Sequence, residues 1–275
     1  MQNKYLEQEW RQMRKEEQRF LNENRIPRKP GWQQRVEKYV PDKLEGTLNT
    51  VFCKAFEVIF EKGTGAIEKT CGKEKKQHSY QVHEYAARIR GNRKSLQAFG
   101  REANTGKLIN TAVSAVEGVG MGVLGMGIPD IPVFLAVLLK SIYEIALSYG
   151  FSYDTEEERI FILRLIETAL SHEEALTARD AELNCWIERI ARQPQETADA
   201  PDACGELPVP SFKAQIRRTS DALAAELLYL KFVQGIPIIG VAGGWSDVVY
   251  QKKISDYAAV KYKRRFLEEK RRGSS

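Results

Sequence analysis

Residues 108–149 carry only four charged side chains, Glu117, Asp130, Lys140 and Glu144. A run this long and this poor in charge has to leave water, either in a protein core or in a bilayer. Within it, residues 118–139 are glycine-rich and apolar, and the sequence GIPDIP at 127–132 prevents one continuous helix, because an interior proline removes a backbone donor and clashes with the preceding turn. Asp130 suits the start of a new helix. Its short acceptor side chain can take up free backbone N–H groups, and Pro132 is tolerated in a first turn. A helix over 130–149 would be about 28 Å long, and Gly150 supplies its stop.

The same stretch decides between core and membrane. A spanning helix needs about 20 predominantly apolar residues. Residues 131–139 provide a short uninterrupted run before Lys140, while 119–139 would set Asp130 and two prolines at mid-bilayer, where a carboxylate is costly. A soluble core is therefore the first expectation, peripheral or hairpin insertion the second, and true spanning the last. Gly118 with Gly122, and Gly240 with Gly244, have the four-residue spacing that lets backbones pack closely in either setting.

Elsewhere apolar residues recur at helical steps, and no segment alternates with the period of a strand, so the class is all-α. The first ~25 residues read as a charged helix with a sparse stripe of Tyr5, Leu6, Trp10, Met13 and Phe20, ended by Pro27, Pro30 and Gly31. From Pro41, the residues Leu44, Leu48, Val51, Phe52, Ala55, Phe56 and Ile59 form a core-facing stripe up to Gly63. A further helix is expected over 78–103, with Gly91 its weak point. Asp154 with Glu157, and Ser171 with Glu174, have the spacing of capping boxes and mark two more helices. Their stripes are Phe161, Ile162, Leu165, Ile166, Ala169 and then Leu176, Leu183, Trp186, Ile187, Ile190. Residues 194–210 form a proline-rich acidic linker with little to bury. Ser211 opens a helix with Phe212, Ile216, Leu223, Leu227 and Leu230 inward, followed by the apolar IPIIGVAGG at 236–244 and a last helix over 245–266.

This gives residues 1–31 as a charged helical appendage, 41–268 as one helical domain around central glycine-rich apolar helices with the linker inside it, and 269–275 as a disordered tail. With 275 residues, 43% of them hydrophobic, one large core is within reach. The charged N-terminus lacks the apolar run of a signal peptide. Cys53, Cys71, Cys185 and Cys204 are widely spaced, so no zinc ribbon or disulfide framework is expected, and reduced thiols and a cytoplasmic location follow.

Motifs for catalysis or cofactors fail on context. Gly120, Gly122 and Gly125 spell GxGxxG, but no strand precedes them and Pro129 and Pro132 interrupt the helix that should follow. The stretch from Gly63 to Lys69 and Thr70 imitates a phosphate loop, with Glu68 where glycine is required. His78 and His83 are five apart, off the one-face spacing of a helical metal pair, and Glu84 beside them reads as surface. No cofactor and no metal are expected.

GIPDIP at 127–132, leading to YEIALSYGF at 143–151 and TEEERIFIL, together with IPIIGVAGG at 236–244 ahead of a tyrosine-rich basic helix, resembles the EcsC protein family over residues 40–268. The resemblance implies a helical architecture and a link to membranes or export. It brings no catalytic residue with it.

Two sets of candidate residues remain. The acids in apolar surroundings, Asp130, Glu144 and Asp247, would form an acid/base pair or cation site if the fold brought two together. Each also has a local explanation: Asp130 as a helix cap, Glu144 paired with Lys140 four residues earlier, Asp247 beside a neighbouring cation. The basic group Lys261, Lys263, Arg264 and Arg265 is the candidate contact for an anion or an anionic membrane. The net charge of +5, from 42 basic and 37 acidic residues, is modest, and without a reading motif no nucleic-acid partner is expected. The sequence thus points to a non-enzymatic accessory protein, peripheral at the inner face of the cell membrane and partnered by the membrane surface or a transport complex. The alternative is a hydrolase-like enzyme, metal-assisted, using the three acids.

Overall fold

The structure is a computed structural model that describes residues 2–26, 39–41, 43–63, 73–90, 97–98, 130–191, 210–234 and 243–272. Among the described residues there is no strand, and the fold is all-α. The helices are α1 (Gln2–Asn24), α2 (Leu44–Val58), α3 (Lys73–Arg90), α4 (Asp130–Ser148), α5 (Glu156–Leu170), α6 (Glu173–Ala191), α7 (Phe212–Gln234) and α8 (Gly243–Arg272). A π-helical turn, Ile59–Gly63, continues α2 to the glycine expected to end it. The glycine-rich segment before Asp130, the phosphate-loop imitation, the linker and the IPIIGVA stretch lie outside the described residues.

Helix α8 is the hub. It packs against α1, α4, α5, α6 and α7, while α2 lies on α7 and α4, and α3 on α4. Contacts along α8 set the directions of its neighbours. Glu7 meets Arg271, Glu17 meets Lys261 and Phe20 meets Tyr257, so α1 runs antiparallel to it. Ser141 bonds Ser255 at 3.0 Å and Tyr149 packs on Phe266, so α4 runs parallel to it.

The apolar stripes read from the sequence face this core. Leu48, Val51, Phe52, Ala55 and Phe56 of α2, Phe161, Ile162, Leu165 and Ile166 of α5, and Leu176, Leu183 and Ile187 of α6 are buried, whereas Ile190 at the end of the α6 stripe is exposed. On α1, Leu6, Met13 and Phe20 are buried in the same cluster. Helix α3 covers Lys73–Arg90 and takes in residues ahead of the expected 78; Gly91 lies outside the described residues. Helix α8 continues to Arg272, into the expected tail, held by Lys270 on Glu84 at 2.7 Å and Arg271 on Glu7 at 3.1 Å.

The termini of α4, α5 and α6 show where local chemistry decides. Helix α4 closes with Phe151 N donating to Ala146 O at 2.9 Å and Gly150 N to Leu147 O at 3.0 Å, the reciprocal pair of a Schellman motif. Gly150 has φ +87, and a Cβ there would sit 2.4 to 2.8 Å from three atoms of the Tyr80 ring. Gly150→Ala combines left-handed strain with that clash, so thermal denaturation should show a fall of roughly 4–8 °C for about 2 kcal/mol.

Helix α5 is capped by Thr155, whose hydroxyl accepts from Glu158 N at 3.2 Å, one position beyond the expected Asp154 and Glu157. Asp154 instead accepts from the Ser152 hydroxyl. Ser171 does not cap α6. It ends α5, donating to Glu167 O at 2.9 Å and accepting from Arg179 at 2.6 Å. The corner it begins grips the end of α1: Glu173, at φ 53, donates its N–H to Arg25 O at 2.8 Å, and the His172 ring lies 3.3 Å from Asn24 O and 2.7 Å from Glu226. His172 is therefore a bridge between α1 and α7 and not simply a first-turn residue.

Candidate functional site

The most concentrated polar chemistry of the described residues runs along α8, on the face turned into the bundle. Lys261 is fully buried, with its ammonium group against Glu17 of α1, 2.6 Å from Asp180 and 2.7 Å from Asn184 of α6. Tyr257, one turn earlier, donates to Asp180 at 2.7 Å. Arg264 reaches Glu17 at 3.0 Å and Glu188 at 3.4 Å. Lys263 lies 3.5 Å from Glu9 and 3.3 Å from Glu16. Glu158 of α5 receives both Tyr262 and Arg265 at 2.6 Å. Burial and then the adjacent carboxylate, Asp180 for Tyr257 and Glu158 for Tyr262, push both phenols well above their ordinary range, so they remain donors.

The basic group Lys261, Lys263, Arg264 and Arg265 is therefore not an open cationic face. Each member is at least half-buried and joined to an acid of α1, α5 or α6. These are the residues expected to contact an anion or an anionic membrane, and in the fold each is met by an acid of a neighbouring helix. The physical reason is that a charge taken out of water is costly unless an opposite charge and further hydrogen bonds accompany it, which here binds three helices to α8.

The three acids separate as well. Glu144 is buried on α4, 4.0 Å from Lys140, and burial raises its carboxyl above the usual range against the opposing pull of Lys76 and Lys140. Asp130 opens the same helix, 14 residues earlier, which places it about 21 Å away along the axis. Asp247 lies in the first turns of α8. Because α4 and α8 run parallel, Asp130 and Asp247 belong to one end of the bundle and Glu144 to the other; the side chains of both aspartates lie outside the described residues. Among the described residues no group of three or more metal-ligating side chains occurs. His78 is exposed, and Glu84 is paired with Lys270. Cys185 is disulfide-bonded to a partner outside the described residues, which corrects the expectation of four reduced thiols; Cys53 is free.

Sequence reading missed Glu17 and Asp180, the acids that fix Lys261. The available signal was their position on otherwise core-facing stripes: Glu17 falls between Met13 and Phe20, and Asp180 between Leu176 and Leu183.

The sequence pattern of the EcsC protein family matches residues 4–267, from the start of α1 to near the end of α8. The chain belongs to the EcsC protein family. The match takes in residues 4–39, ahead of the stretch 40–268 that carries the resemblance. A segment of 76 residues is 32% identical to Protein EcsC of Bacillus subtilis (strain 168), which is 27% of this chain and 32% of that protein. The chain thus aligns with about a third of the curated relative's length. No solved structure matches.

Proposed function

We propose that this EcsC-family chain is a non-enzymatic accessory protein that attaches to a membrane through the end of the bundle where α4 and α8 begin. One observation carries the reading. Ser141 bonds Ser255 at 3.0 Å in two parallel helices, so Asp130 and Gly243, 11 and 12 residues earlier, lie at one level about 17 Å from that contact. In the sequence, the glycine-rich apolar residues 118–127 lie shortly before Asp130, and 236–242 directly before Gly243. Two apolar segments acting together offer a larger apolar surface than either alone.

The segment Ile131–Ser148 is long and apolar enough to cross a bilayer by length and composition, yet 83% of it is buried among the other helices. Its role here is to anchor the apolar end, with attachment peripheral, either to lipid or to a transport complex set in it. Flotation of the full chain with native membrane vesicles and with pure lipid vesicles tests this. The wild type should rise with native membranes, and its behaviour with pure lipid tells direct from protein-mediated attachment. Leu124→Glu combined with Val241→Glu places a carboxylate in each segment, at a cost of about 2.5–3.5 kcal/mol apiece if they enter hydrocarbon, and should reduce the floating fraction at least tenfold. A wild type that stays down with both kinds of vesicle overturns the reading.

A further inference from the structure

The face of α8 beside the α1 contact opens into a cleft of ≈540 Å³. That volume lies inside the roughly 300–1,000 Å³ of small-molecule sites. Phe20, Val260, Phe266 and Leu267 give it an apolar floor. Its walls carry four carboxylates, Glu9, Glu16, Glu23 and Asp256, against three cations, Arg19, Lys252 and Lys263. At the rim Arg19 pairs with Glu23, and Lys252 with Asp256, each within one turn of one helix and largely exposed. Deeper in, Lys263 is shared by Glu9 and Glu16. Gln97 also donates to Glu9 at 3.1 Å and Gln12 to Glu16 at 3.0 Å, and the two carboxylates against the one ammonium of Lys263 leave the inner cleft negative: after burial, Glu16 and then Glu9 hold the Tyr149 phenol far above its ordinary range.

Tyr149 supplies a second, independent sign of a ligand. The residue is only 4% exposed and lines the cleft, and its hydroxyl makes no hydrogen bond to any described residue. Buried polar groups are nearly always bonded, and one pointed at a cavity marks where a bound molecule places a polar atom.

We propose that this cleft binds a small amphipathic amine, its ammonium group donating to Glu16 and to the Tyr149 oxygen and its hydrocarbon chain lying on Phe20, Val260, Phe266 and Leu267. An ammonium head suits the excess of acceptors, where a carboxylate head would meet Glu9 and Glu16 as like charges. A neutral alcohol would keep the apolar contact and lose the charge-assisted bonds. The same chemistry is carried by a free alkylamine and by an amine-bearing lipid headgroup. The site does not depend on membrane attachment, so it is tested without vesicles first.

Calorimetric titration of the full chain with octylammonium chloride, octanol and sodium octanoate reads the head-group preference. Octylammonium should bind at least about tenfold more tightly than either isostere. Tyr149→Phe removes only the hydroxyl and Glu16→Gln only the charge, and each should weaken octylammonium binding roughly fivefold or more while leaving the melting temperature close to that of the wild type. Competition by vesicles containing phosphatidylethanolamine, and not by phosphatidylcholine alone, would assign the amine to a lipid headgroup; octylammonium binding without that competition would assign it to a soluble amine. Equal binding of octanoate and octylammonium, binding unchanged in both variants, or no heat of binding at millimolar octylammonium would overturn the proposal.

Discussion

Lys261→Met should destabilise the bundle by about 3–5 kcal/mol, the loss expected when one partner of a buried ion pair is removed and the other is left behind. Methionine is close to lysine in length and needs no polar partner, so no large cavity opens and the effect isolates the charge. What it leaves is Glu17, still near Arg264, and Asp180, still bonded to Tyr257 and Asn184, each with one cation fewer in a dry setting. Thermal or urea denaturation should show the loss, roughly 6–20 °C at the 2–4 °C per kcal/mol expected for a chain of this size. Adding Asp180→Asn should restore part of it, because the second change removes the charge that the first one orphaned. A Lys261→Met protein as stable as the wild type, or a double variant worse than the sum of the two, would show that the ammonium group does not organise these helices.

Phe161→Ala should cost a comparable amount, about 3–5 kcal/mol, by a different route. Phe161 is fully buried, meets Tyr262 edge-on at 5.5 Å and Trp186 edge-on at 6.3 Å, and lies under the Arg265 guanidinium. Truncation empties the point where α5, α6 and α8 converge, and flat rings do not spread to refill it. The Trp186 ring loses its edge contact, so tryptophan emission should shift to longer wavelength in the folded protein. An unshifted spectrum with unchanged denaturation would mean that the three helices close over the gap.

The sequence disclosed the stripes more reliably than the ends. Leu48, Phe52, Phe56 and Leu165, Ile166, Ala169 recur every three or four residues because one side of each helix leaves water, and that period is written directly in the residue order. Caps are decided by one backbone torsion. Asp154 and Thr155 both offer an oxygen three residues ahead of a glutamate, and only the extended conformation at Thr155, with φ −80 and ψ 156, selects it. The candidate site was harder still. Lysine and arginine in KYKRRF look like a surface cluster until Glu9, Glu17, Glu158 and Asp180 arrive from three other helices, and no local pattern announces a partner 244 positions away. The cleft shares that difficulty, since α1 and α8 meet there with Tyr149, the residue after α4.

The hub position of α8 has a consequence for how the protein is made. Five of the described helices, α1 and α4 to α7, precede in the sequence the helix they pack against, and the bonds from Glu17 to Lys261 and from Glu7 to Arg271 join residues 244 or more positions apart. Contacts of such separation are slow to form, because a long loop must be closed before they give anything back. Until α8 emerges, the faces of α4, α5 and α7 that it covers stay open, and they are surface a chaperone would meet. The window for misassembly therefore lasts at least until α8 is out.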